Sequence, residues 1–260
     1  MADFEIIDGI CVIPEGTTEI GDNAFRNCED LISVVIPDSV TKIGNSVFEG
    51  CIRLTSVNIP DSVFEIESHT FAGCIALKSI KIPDYVFSIE RYAFAGCTGL
   101  TSIKLPDGLF DIWHHAFEGC TSLKSINIPG SITTICPYTF AGCTNLASID
   151  IPEGVTTIGR GAFENCVNLR SIYIPDGVMI IKEEAFKGCT GLNPANIPSY
   201  GVQRSFYDYL EQARADFQPD CSLFDESPYA GTYVHDEEGW SDEEIDTILD
   251  GEPDAYWNID

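Results

Sequence analysis

The hydrophobic positions repeat with a period that does not drift. Proline recurs at Pro14, Pro37, Pro60, Pro83, Pro106, Pro129, Pro152, Pro175 and Pro198, always 23 residues apart. Cysteine recurs from Cys28 to Cys189 with the same spacing. Phenylalanine stands three residues before each of these cysteines, from Phe25 to Phe186, and leucine three after, from Leu31 to Leu192. Eight 23-residue repeats pass without insertion or deletion. A fixed period of this kind marks a unit that stacks on copies of itself. In one unit, Leu100-Thr101-Ser102-Ile103-Lys104-Leu105-Pro106 alternates as a short strand that the proline ends. Leu100, Ile103 and Leu105 are expected inside, Ser102 and Lys104 outside. Leu109 and Ile112 supply a second inward pair on the return path. Ala116-Phe117-Glu118 suits a single helical turn. One column holds only Gly or Asn: Asn27, Gly50, Gly73, Gly96, Gly119, Gly142, Asn165 and Gly188. Both residues tolerate positive φ, so each turn is expected to end in a left-handed residue.

No unit buries its apolar side alone. Stacked at ~4.8 Å per strand, eight units make a coil roughly 40 Å long. The residues resemble the leucine-rich repeats of the BspA-like, or Treponema pallidum, type, whose signature is close to LxxIxIPxxVxxIGxxAFxGCxx. The match runs over about residues 10–198. The resemblance implies a β-rich α/β fold, a right-handed leucine-rich-repeat solenoid with a parallel concave sheet. It also implies microbial surface proteins that bind host matrix proteins or other cells.

The ends break the pattern. Phe4-Glu5-Ile6-Ile7 and Ile10-Cys11-Val12-Ile13 read as an N-terminal strand cap, giving a solenoid over residues 1–198. Residues 199–218 are expected to form a C-terminal capping helix, because Phe206, Tyr209, Leu210, Ala213 and Phe217 share one helical face. Residues 219–260 read as an acidic, largely flexible tail. Within it Ser241-Asp242-Glu243-Glu244 opens a short helix near 241–250. Trp240, Ile245, Leu249, Tyr256 and Trp257 are the tail's candidate docking residues.

Charge narrows the function. The chain has 260 residues and a formal charge of −27, of which −15 falls on residues 199–260. Nucleic-acid backbones and anionic lipid surfaces are therefore poor partners. No apolar run reaches the ~20 residues of a membrane helix. The N-terminal segment has neither the basic nor the apolar stretch of a secretory leader, which points to the cytoplasm; the family resemblance points to the cell surface.

Catalytic chemistry finds no foothold. The eleven cysteines form no C-x-x-C pair, and the periodic eight are expected to be free, buried thiols. His69 and His115 lie two repeats apart, ~10 Å, too far to share an ion. No cofactor fingerprint, metal site or nucleophile motif is present, and the expected function is non-enzymatic protein binding. Two outward columns are candidates for it. Phe64, Phe87 and Phe110 replace the usual Thr in three consecutive repeats. Nearby, His69, Tyr92, His115 and Tyr138 form a second aromatic column, with Trp113 beside it. Either these pack as partly buried ladders or they form an exposed patch for a partner or a homodimer. Lys78, Lys81, Lys104 and Lys124 form a local basic patch on the strand face, where Tyr173 also points outward. The patch suits an acidic ligand, the chain's own tail being one candidate. An adhesin-like surface module and an intracellular scaffold that recruits a partner through the tail both fit the sequence.

Overall fold

A computed structural model describes residues 4–192. The chain divides into two units, Met1–Pro219 and Asp220–Asp260, and all described residues belong to the first. The expected capping helix and tail lie outside the described residues.

Each repeat crosses two parallel ladders. The first contains Ile10–Val12, Ser33–Val35, Ser56–Val57, Ser79–Lys81, Ser102–Lys104, Ser148–Asp150 and Ser171–Tyr173. The second contains Glu19–Ile20, Lys42–Ile43, Glu65–Ile66, Ser88–Ile89, Asp111–Ile112, Thr134–Ile135, Thr157–Ile158 and Ile180–Ile181. Where strands pair, residue faces residue 23 positions on: Ser79 with Ser102, Ile80 with Ile103, Ser88 with Asp111. The N-terminal strand cap is present as Ile6–Ile7, which pairs antiparallel with Ile10–Val12 across a turn with positive φ at Asp8 and Gly9. An antiparallel strand ends the parallel stack at this side.

Proline sets the strand length. It lacks the N–H that would continue the ladder, and its carbonyl accepts a bond from the residue three on, as in Val86 to Pro83 at 3.2 Å. That turn carries the chain into the second ladder.

The pairing of Ser33–Val35 with Ser56–Val57 is one residue short, because a side chain takes the place of a ladder bond there. Ile13 and Ile151 donate to the carbonyls of Val35 and Tyr173. Ile36 instead donates to Asn58 Oδ1 at 2.8 Å, while Asn58 Nδ2 donates back to the Ile36 carbonyl at 2.7 Å.

The third side of the repeat holds no helix among the described residues. The expected helical turn is a run of tight turns whose amides alternate in direction. Ala93, Ala95 and Cys97 donate three residues back, to Glu90, Tyr92 and Phe94. Tyr92, Phe94 and Gly96 donate to His114, Ala116 and Glu118 of the next repeat. This alternation satisfies the backbone on a side that has no sheet. The Gly/Asn column has positive φ at all eight positions, as the sequence implies. A second left-handed column, Asn23, Ser46, His69, Tyr92, His115, Tyr138, Gly161 and Glu184, was not foreseen.

The core lies between the three sides. Phe48 to Phe186 are fully buried and stack at 5.3–5.7 Å. Leu109 and Ile112 are buried, as their pattern required.

Candidate binding surfaces

The outer face of the first ladder is built by alternation. Ile80, Ile103, Ile126 and Ile149 point inward, so their neighbours point out. The serines from Ser56 to Ser171 are exposed hydroxyls in register. Lys78, Lys81, Lys104 and Lys124 are all exposed around them, and Lys81 pairs directly with Lys104. Like charges at facing positions repel, and among the described residues none of the four is in an ion pair. The positions around them are Thr55, Ser56, Asn58, Thr101, Ser125 and Asn127. Along the same outward column the next carboxylate is Asp150, two rungs beyond Lys104 and directly beside Tyr173, in a chain that has 41. The same face ends in exposed apolar groups. Val12 and Val35 lie toward the N-terminus, and Tyr173 toward the other end. The Tyr173 hydroxyl donates to Glu153 at 2.7 Å, which pushes its phenol pKa up.

The Phe column sits at the edge of the second ladder. Phe64, Phe87 and Phe110 are 50%, 41% and 61% exposed, so the column is an open surface and not covered packing. Its backbone is nevertheless firm: Phe87 and Phe110 each donate to the preceding Phe carbonyl, at 2.9 and 2.8 Å. Tyr85, also exposed, joins this surface. Sequence reasoning missed it, although it is the only aromatic residue in a column of Gly and Ser. Where the column holds serine, as at Ser39, Ser62 and Ser131, the hydroxyl folds back onto a backbone carbonyl of the previous repeat.

The second aromatic column behaves differently. His69, Tyr92, His115 and Tyr138 are half-buried, and their rings stack on one another at 4.7, 4.5 and 4.9 Å. Their faces are occupied by each other. At one end the Tyr138 ring lies over Gly161. The Tyr92 ring separates His69 from His115, so the two imidazoles do not meet. His115 Nδ1 bonds Glu118 Oε2 at 2.7 Å. Trp113 is half-buried beneath the Arg91 guanidinium, 5.8 Å from the ring centre. The two columns expected to act together are thus one open surface and one closed stack.

The thiols are structural. From Cys51 to Cys189, each donates to the Phe carbonyl of the preceding repeat at 2.9–3.2 Å. Burial pushes Cys51, Cys97 and Cys143 up to about 12. Among the described residues no three His, Cys, Asp or Glu side chains cluster as a metal site, and no helix is long and apolar enough to cross a membrane. Trp240, Ile245, Leu249, Tyr256 and Trp257 lie outside the described residues.

The stacked 23-residue unit, with its Phe and Cys ladders, matches the BspA type leucine rich repeat region over residues 10–86 and 65–193. This chain belongs to the BspA-type leucine-rich repeat family. Two solved structures show the same architecture. The leucine-rich repeat protein of T. pallidum is 31% identical with a TM-score of 0.59, over 62% of this chain and 78% of that one. A leucine-rich repeat protein from Bacteroides ovatus is 29% identical with a TM-score of 0.58, over 71% of this chain. This chain covers 62% of the Bacteroides protein, under two thirds of its length. No curated protein sequence matches. Leucine-rich repeats of this family are protein-interaction platforms.

Proposed function

We propose that the chain is a non-enzymatic, adhesin-like module that recognises an acidic segment of a host or cell-surface protein on the outer face of its first ladder. One observation carries this reading. In a chain of net charge −27, four lysines that have no ion pair among the described residues are gathered on a face of exposed serine, threonine and asparagine, and the next carboxylate along their outward column is Asp150, two rungs beyond Lys104. Lysine side chains supply point charges for carboxylates, and serine hydroxyls donate or accept at the peptide backbone. The apolar ends at Val35 and Tyr173 favour a polypeptide over a uniformly charged polymer. They lie six rungs apart, roughly 29 Å, which an extended segment spans with about nine residues.

The test is fluorescence anisotropy of the full chain with a labelled acidic nonapeptide carrying leucine at each end. Binding should weaken with salt, and Lys81→Ser with Lys104→Ser should reduce affinity about tenfold or more. Equal affinity in the double variant contradicts the reading. The surface location has its own test, protease shaving of intact cells probed with an antibody to the repeats. Loss of the epitope before lysis supports display outside, and survival until lysis favours an intracellular scaffold. The ladder of seven donated thiols supports that second reading, since free cysteines in number suit a reducing compartment.

A further inference from the structure

Phe64, Phe87, Phe110 and Tyr85 make one contiguous aromatic surface on three successive rungs. Phe64 and Phe110 lie about 10 Å apart along the stack. Exposing large rings is unfavourable, and Thr18, Thr41, Thr133 and Thr156 show that the fold accepts a polar residue in this column. The rings therefore do something the core does not require.

The charges around them decide what fits. Asp61, Asp84 and Asp107 occupy the turn that precedes each Phe, and all three are exposed. Glu65 and Asp111 follow Phe64 and Phe110 directly. Two cations of neighbouring segments are engaged elsewhere: Lys42 lies 3.8 Å from Glu19, and Arg91 lies over Trp113. The negative field reaches further, since Glu65 and Asp111 add to the burial that pushes the Glu90 carboxyl up. Two copies of this chain brought together on these rings would set acidic rim against acidic rim, so the surface rejects itself.

The geometry points to a second binding surface, separate from the lysine face, that takes a partner segment with apolar side chains flanked by Lys or Arg. The apolar side chains would lie on the Phe ladder, and the flanking cations would meet Asp84 and Asp107. A chain with both surfaces in use bridges an acidic partner and a basic one.

The probe is a labelled amphipathic peptide of alternating leucine and lysine, titrated into the full chain and followed by anisotropy. Two controls accompany it, one with serine replacing leucine and one with glutamate replacing lysine. Binding of the leucine–lysine peptide should weaken about tenfold or more in the Phe64→Thr, Phe87→Thr, Phe110→Thr triple variant. It should also weaken, with a shallower salt dependence, in Asp84→Asn with Asp107→Asn. Lys81→Ser with Lys104→Ser should leave it unchanged, which separates this surface from the first-ladder reading. Circular dichroism checks folding, and the aspartate variant decides if the triple variant is unfolded. Equal binding by the folded triple variant, by the aspartate variant or by either control peptide overturns the proposal. So does a reversible dimer in sedimentation that the triple variant lacks, since the occupant would then be a second copy.

Discussion

Replacing Phe117 by Ala removes a ring from the middle of the core stack. Phe117 is fully buried, 5.4 Å from Phe94 and 5.7 Å from Phe140, with the three rings nearly parallel. Loss of the transfer energy and the remaining cavity costs about 3–5 kcal/mol. That figure already contains the two lost ring contacts. The expected loss is therefore about 3–5 kcal/mol, a large part of the total stability of an ordinary domain. The effect should also be positional. In a stack each repeat touches only its neighbours, so the variant should weaken the joint between the repeats on either side of Phe117. Equilibrium urea unfolding, followed by far-UV circular dichroism, should show a lower midpoint and a broadened or split transition. A single transition shifted by less than about 1.5 kcal/mol would refute the view that the Phe ladder is the principal bond between repeats.

Three further outcomes are expected. Gly119→Ala should cost about 1 kcal/mol, because φ is +66° while the added Cβ meets nothing closer than 3.7 Å; Gly119→Asn should cost less, since Asn27 and Asn165 already hold that conformation. A thermal or urea midpoint that ranks Asn below Ala would be inconsistent with a backbone cause. The thiols from Cys51 to Cys166 should stay silent to a thiol reagent in the native protein and react together on unfolding, because burial holds their protons and each Sγ–H is donated to a carbonyl; fast native labelling of Cys97 by mass spectrometry would contradict this. Burial raises the Glu67, Glu90 and Glu164 carboxyls, so the folded chain binds protons before the unfolded chain does, and stability should increase as pH falls through the raised values toward about 4.3. Glu184, lowered first of all by its bond from Lys187, loses its contribution only below the usual carboxylate range. A melting temperature that declines steadily from pH 7 to pH 5 would contradict this assignment.

The period made most of the fold readable. Phe, Cys and Leu at fixed offsets declare a stack, and the Gly/Asn column declares its left-handed residue. The second left-handed column was hidden because His, Tyr, Ser and Glu stand there, residue types that seldom signal positive φ. The inter-repeat bonds and the stacked rings hold that conformation, and neither is visible in one repeat. The second ladder was hidden for a different reason. Its strands are two residues long, too short to show alternation, and the first residues run Glu19, Lys42, Glu65, Ser88 and Asp111, of which Ser88 is buried. Asn58 reads as one more variable outward residue, yet it replaces a ladder bond with its own amide. The binding surfaces were half legible. The lysines stood out against an acidic composition. Whether Phe64, Phe87 and Phe110 were covered depended on neighbouring loops, and only the packing shows them open while His69 to Tyr138 close on themselves.

Hydrogen exchange of the full chain, with and without the acidic nonapeptide, tests the central claim most directly. The account predicts slowed exchange confined to the first-ladder segments around Ser79–Lys81, Ser102–Lys104 and Lys124, lost in the Lys81→Ser, Lys104→Ser variant. Unchanged exchange on that face, or protection that persists in the variant, would contradict it.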